Sequence, residues 1–238
     1  MRVPRAVFHE PQTEEQKREE RVENIIALAV MFLVVAAAIF LFMRWWDAHH
    51  TPLQPGPDTV FKVGLGTNLV LGDPNAPVTI VEFADYECSS CAAFYKDAFL
   101  QLKTVYIDTG KVQFAFRDYP IETTHPEAFA AAVAARCAGD QSKYWEFHDA
   151  LYNSSAPLNS TLYDALAMSL NLNMTQFDAC RSSGSHDQEI REDYVEGINQ
   201  GRVVATPTFF IAGKRYVGNQ PYADFQTAIE QALHDATR

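Results

Sequence analysis

Residues 83–94 read FADYECSSCAAF, and the cysteines at their centre, Cys88 and Cys91, organise the reading of everything on either side. Upstream, Val78 to Ala84 (VTIVEFA) is an apolar run between Pro77 and Asp85, the length of a buried strand. Downstream, apolar residues at Ala92, Phe94, Tyr95, Ala98, Phe99, Leu102, Val105 and Tyr106 fit a helix from Ser89 to about Ile107. A Cys-x-x-Cys set between a strand and a helix puts its first sulfur where backbone N–H groups lack partners and the helix dipole is positive. Both effects favour the thiolate, the reactive form in disulfide exchange. The second sulfur lies one turn deeper, within reach to close a disulfide or expel a mixed one.

Ser89 and Ser90 carry no charge and add no direct push on that thiolate. Glu82, six residues before Cys88, is the one acid in its apolar strand. Buried, its carboxyl would have a raised pKa and could relay a proton to or from Cys91; at a sheet edge it would simply face water. A zinc knuckle needs a second ligand pair, and Cys137 and Cys180 lie 46 and 89 residues beyond Cys91, so no metal is expected. A purely structural Cys88–Cys91 bridge is a second alternative, though such short loops are strained and reducible, and a free, inert pair in a core is disfavoured by the flanking Asp85, Glu87 and two serines.

Further along, Val112 to Phe116 is a second strand after the Thr109-Gly110 turn, giving strand, helix, strand, the start of a right-handed parallel crossover. Thr124-His125-Pro126-Glu127 reads as a capping box opening an Ala-rich helix that ends near Gly139. Lys143–Tyr152, Ser160–Leu170, Thr175–Ser182 and His186–Gln200 also read as helices. Strands follow at Thr208–Ala212 and Arg215–Val217, then a helix from Pro221 to about Ala236. The expected fold class is therefore α/β: a sheet interrupted by an inserted helical subdomain over about residues 120–201.

Ahead of this domain, Ile25 to Met43 is nineteen residues without a charge, and Asn24 extends the run. At about 1.5 Å per residue it covers most of a bilayer's roughly 30 Å hydrocarbon core, and Arg44, Trp45 and Trp46 supply an interfacial edge. A cleaved signal peptide would have a shorter apolar region and a small-residue cleavage site. The expectation is a cytoplasmic segment 1–23, a transmembrane helix 24–43, a Pro- and Gly-containing spacer 44–60 and a domain 61–238. Arg2, Arg5, Lys17, Arg18 and Arg21 precede the span, so the positive-inside rule places the N-terminus in the cytoplasm and the domain outside it.

The net charge is −11, and residues 1–46 hold six bases and six acids, leaving 13 bases against 24 acids for the rest. An acidic domain without a basic cluster repels phosphate backbones, which excludes nucleic acid as a partner. Outside the cytosol disulfides persist, and Cys137 and Cys180, both in the helical insertion, most simply form one; two separate buried thiols are the alternative. His49-His50 reads as a solvated linker pair, and His125 and His148 as capping or packing residues. Asn153-Ser-Ser, Asn159-Ser-Thr and Asn173-Met-Thr are glycosylation sequons, relevant only in a glycosylating host.

FADYECSSCAAF, DTGKVQFAFRDYPI, HPEAFAAAVAARCAGDQSKYWEFHDALY and GRVVATPTFFIAGKRYVGNQPYADF together resemble the membrane-anchored branch of the bacterial DsbA-like thiol:disulfide oxidoreductases, on the thioredoxin fold. The resemblance covers roughly Leu69 to Leu233. It implies that Pro207 is a cis-proline facing the cysteine pair, that the Thr206 backbone pairs with an extended substrate segment, and that Glu82 is the family's buried acid. It also implies reduced or unfolded exported proteins as substrates, a quinone-linked membrane oxidase as redox partner, and no bound cofactor. The best-known strong oxidant of the family has Pro-His between its cysteines where this chain has Ser-Ser, so the direction of electron transfer stays open. A reductase or isomerase, or a non-catalytic binding module of the envelope, are the alternatives to an oxidase.

Overall fold

The computed structural model describes residues 14–49, 60–66 and 70–238; within the first of these, side chains are described at 25 and 28–44. The chain divides into two units, Met1–Thr51 and Pro52–Arg238. The first contains α1, Glu14–His49, which carries the uncharged run and extends past it at both ends, so residues 44–49, expected to begin the spacer, are helical. Residues 50–59 of that spacer and 1–13 of the N-terminal segment lie outside the described residues. Ile25 and the side chains from Leu28 to Met43 are exposed. Among the described residues no helix is long and apolar enough to cross a membrane.

The second unit is built on a five-stranded sheet in the order β1-β3-β2-β4-β5: β1 Val70–Leu71, β2 Val78–Ala84, β3 Val112–Asp118, β4 Thr208–Ile211 and β5 Lys214–Val217. β2 and β3 are parallel and joined by helix, as a strand-helix-strand crossover requires, and the other pairings are antiparallel. The crossover helix runs through α2 (Ser89–Phe94) and α3 (Leu100–Leu102) with π turns at Tyr95–Phe99 and Lys103–Ile107. The two-residue β1 carries no periodic pattern and is found only by its pairing with Ala115 and Phe114.

Alternation along the strands divides the core. Ile80, Ala84, Phe114, Phe116, Phe209 and Ile211 pack under the crossover helix, α9 (Tyr222–Ala236) and the inserted helices. Val81, Phe83, Ala115 and Phe210 form a smaller cluster with Phe61 and Tyr119 on the other face. Glu82 shares the face of Ile80 and Ala84, on the central strand, in register with Phe116 and Phe209. At 3% exposure it is buried, so the alternative of a carboxyl in water at a sheet edge is removed.

Between β3 and β4 lie α4 (Ala128–Gly139), α5 (Tyr144–Asn153), α6 (Ser160–Ser169), α7 (Met174–Ser183) and α8 (Asp187–Glu196), the last ending in a π turn, Gly197–Gly201. The capping box expected at Thr124–Glu127 does not form. α4 starts after Glu127, which makes no side-chain cap, while the Thr124 hydroxyl donates back to the Ile121 carbonyl. His125 is engaged with the Asp85 carboxylate instead. Cys137 on α4 and Cys180 on α7 are joined in a disulfide with Cα atoms 5.8 Å apart.

The insertion is tied to the sheet by buried charges. Arg117 of β3 donates from Nε to Asp193 Oδ1 at 2.7 Å and from Nη2 to Glu196 at 2.8 Å. Arg136 of α4 bridges Asp118 and Asp193, both at 2.6 Å. Removing charges from water is expensive, so such a network is stable only when each member is paired.

Candidate active site

β2 delivers the chain into a tight turn. The Asp85 carboxylate accepts the Glu87 N–H at 2.8 Å, and the Asp85 carbonyl accepts the Cys88 N–H at 3.1 Å. Cys88 sits at the N-cap of α2 with an extended backbone (φ −74°, ψ 117°), and its carbonyl accepts the Ala92 N–H at 3.0 Å. Both sulfurs are free thiols; Cys88 is 8% exposed and Cys91 1%. Their different depths give them different chemistry.

Cys88 is held down to a pKa of about 5, first by a hydrogen bond from the Cys91 S–H and further by the Thr206 side chain and the Cys91 and Ser90 N–H groups, against a partial desolvation penalty. Cys91 is pushed well above the ordinary thiol range by burial, then by its hydrogen bond to Cys88 and the charges of Cys88 and Glu82. Burial, and then the Cys88 charge, likewise raise Glu82 well above an ordinary carboxyl. Cys88 is thus the more readily ionised sulfur, while Cys91 and Glu82 beneath it hold their protons more tightly than exposed side chains would.

Thr206-Pro207 is the cis peptide bond of the described residues, and it lies against Cys88: the Cys88 S–H points to the Thr206 carbonyl at 3.5 Å. The Pro207 carbonyl is taken by the Gly218 N–H at 2.7 Å. The Thr206 hydroxyl is buried and has no partner while Cys88 is a thiol; once Cys88 ionises, that hydroxyl has a sulfur anion to donate to. The structure thus brings Cys88, Cys91, Glu82, Thr206 and Pro207 to one place, although up to 125 residues separate them in sequence.

One neighbour was not legible as a site residue, and His148 packs as the sequence reading expected. Asp85 is 2% exposed, and its carboxylate accepts from the Ile121 N–H and pairs with His125 Nδ1, each at 2.8 Å. His148 is buried among Tyr86, Tyr95, Phe116, Trp145 and Tyr152, and burial lowers its pKa, so it packs as a neutral ring. The metal-capable cluster of the described residues, Cys137, Cys180 and His186, has both sulfurs committed to the disulfide.

A cysteine pair at a helix N-terminus facing a cis-proline, on a sheet with parallel β2 and β3, defines a thioredoxin-type dithiol site. The family model described as thioredoxin matches residues 65–231. In the crystal, Wolbachia pipientis α-DsbA1 superposes with a TM-score of 0.66 at 28% identity, over 74% of this chain and 95% of that one. Disulfide bond formation protein D of Bacillus subtilis is 29% identical over 69% of this chain and 76% of its own length. The Na(+)/H(+) antiporter NhaA 1 of Salinispora arenicola is 32% identical over 176 residues, 74% of this chain, yet this chain spans only about a quarter (26%) of that protein. The chain belongs to the thioredoxin family, among the DsbA-like thiol-disulfide oxidoreductases.

Proposed function

We propose that this protein is a membrane-tethered dithiol oxidase that introduces disulfides into exported proteins. A substrate thiolate attacks Cys88 in the Cys88–Cys91 disulfide; the S–S bond breaks, its electron pair goes to Cys91, and Glu82 donates the proton that Cys91 takes up. A second substrate thiolate then attacks the substrate sulfur of the mixed disulfide and expels Cys88 as a thiolate. The substrate leaves oxidised by two electrons and the cysteine pair reduced by two. Before that second attack, an extended substrate segment lies along the Thr206 backbone beside Pro207.

The observation that carries the oxidase direction is the low pKa of Cys88. A stabilised thiolate stabilises the reduced protein, makes its disulfide a stronger oxidant and makes Cys88 the better leaving group. The reduced pair is reoxidised by a quinone-linked membrane partner, and residues 24–43 form the single span that holds the domain on the extracytoplasmic side. The uncharged run of α1 and the bias of Lys and Arg to its N-terminal side support that placement.

The test is the reduction potential of the Cys88–Cys91 pair, measured against glutathione. A value above about −200 mV supports the oxidase, and one near thioredoxin's roughly −270 mV assigns the reductase or isomerase role instead. Protease protection of the full chain in sealed vesicles tests the orientation.

A further inference from the structure

Charge around Cys88 is unbalanced if only its own turn is counted. Asp85 and Glu87 precede it, Ser89 and Ser90 follow it, and no cation lies in the stretch. A carboxylate three residues before a thiolate opposes its ionisation, the more so because the Asp85 side chain is fully buried and poorly screened.

The cation arrives from the other end of the sheet crossover. His125 belongs to the bend after β3, where the Ile121 carbonyl accepts both the Thr124 and His125 N–H groups at 2.9 Å. Its Nδ1 lies 2.8 Å from Asp85 Oδ2, and its side chain is 25% exposed. A second clamp joins the same two segments: the Glu127 N–H donates to Glu87 Oε2 at 2.8 Å. Asp85 therefore holds two things at once, the Cys88 N–H through its carbonyl and the imidazole through its carboxylate.

We infer that His125 is a positioning residue for thiol exchange: its imidazolium neutralises Asp85 and, through that pair, favours the Cys88 thiolate. This supplies from 37 residues away the positive charge that the Ser89-Ser90 dipeptide lacks. Three groups act on the ring, all from the turn after β2: Asp85, Cys88 and Glu87. They raise its pKa in spite of partial desolvation, which works the other way and is the largest single effect. The Cys91 S–H remains the main stabiliser of the thiolate, and His125 adds a field to it. Because coupling is reciprocal, whatever protonated His125 does for the thiolate, the thiolate does for His125.

The inference rests on Cys88 being the exchanging sulfur, but its test does not need turnover. In the full chain in detergent, the His125 ring is titrated by NMR in the oxidised and the reduced protein, with His125→Gln assigning the resonance. A higher His125 pKa in the reduced protein supports the inference; identical values in the two states overturn it. In parallel, the 240 nm thiolate absorbance of His125→Gln is followed with pH. The Cys88 pKa is expected to rise by about one unit, a tenfold fall in the thiolate-to-thiol ratio at a given pH, and His125→Lys to restore part of it. A Cys88 titration unmoved in His125→Gln, whatever its melting temperature, overturns the inference. A protein whose Cys88 follows His125 but never exchanges with client thiols would refute the oxidase reading and leave this one standing.

Discussion

The Cys88 sulfur stands 3.5 Å from the main-chain carbonyl of Thr206, on the residue that precedes cis-Pro207. The Cys88 sulfur is thereby placed beside the bend at residues 205–207 that leads into β4. On the proposed oxidase reading, a peptide laid along the Thr206 main chain would present its own cysteine to Cys88 with no need for a particular side chain.

Cys88→Ser is expected to abolish oxidation of a reduced test protein, a loss of at least about 100-fold. Cys91→Ser is expected instead to accumulate mixed disulfides between Cys88 and the substrate. Non-reducing gels distinguish the two, and equal trapping by either variant would contradict the division of labour between outer and inner sulfur.

Lowering of the Cys88 pKa from 9.0 to about 5 has a signed consequence for stability. In the reduced protein the ionised sulfur stabilises the fold fully above about pH 9, and that contribution is lost as pH falls through about 5. The oxidised protein has no such titration. The melting temperature of the reduced form relative to the oxidised form should rise between pH 5 and pH 9; a flat difference across that window would refute the assignment.

Glu82 has the opposite sign. Its raised pKa means stability that is complete below about 4.5 and declines as pH rises through the folded-state value. Glu82→Gln keeps the shape and removes the charge, so its stability should exceed that of the wild type by a margin that grows with pH. The slope is about 1.4 kcal/mol per pH unit between the unfolded and folded pKa of the carboxyl. The same variant should slow exchange, because Cys91 loses its proton donor. Denaturant melts at several pH values together with single-turnover kinetics read both effects.

Removing the disulfide by Cys137→Ala with Cys180→Ser is expected to cost about 4 kcal/mol from chain entropy, since the bridge closes a separation of 43 residues. Substrate oxidation by the folded fraction should persist, because neither cysteine is among the residues gathered at Cys88.

Arg136→Leu should cost roughly 3–5 kcal/mol by leaving Asp118 and Asp193 buried without their shared partner. Asp193 already has its pKa raised to about 6, mainly by burial. Mild acid should therefore recover part of the lost stability, which a urea titration at two pH values would show.

The cysteine spacing, the apolar strand before it and the helical period after it depend on neighbours in the chain. For that reason Val78–Ala84 and the helix from Ser89 to Ile107 were legible residue by residue. Glu82 was recognisable as a candidate because an acid breaks an apolar run, whereas Thr206 and Pro207 were candidates only through the family resemblance. Their meaning came only from the fold: period-two alternation and a central strand turn Glu82 inward between Phe116 and Phe209. His125 was not legible, since a Thr-His-Pro-Glu string is a sound local cap and nothing in it reveals a carboxylate 40 residues earlier. The Arg117, Arg136 and Asp193 network was invisible for the same reason: charged residues in sequence carry no sign of whether water or another charge will surround them. Sequence by itself determined the main strand and helix around Cys88 and Cys91 and the placing of the outer sulfur at a helix N-terminus, because these depend on local backbone geometry. Tertiary structure decided which charges meet, because burial and Coulomb interactions depend on distances in space.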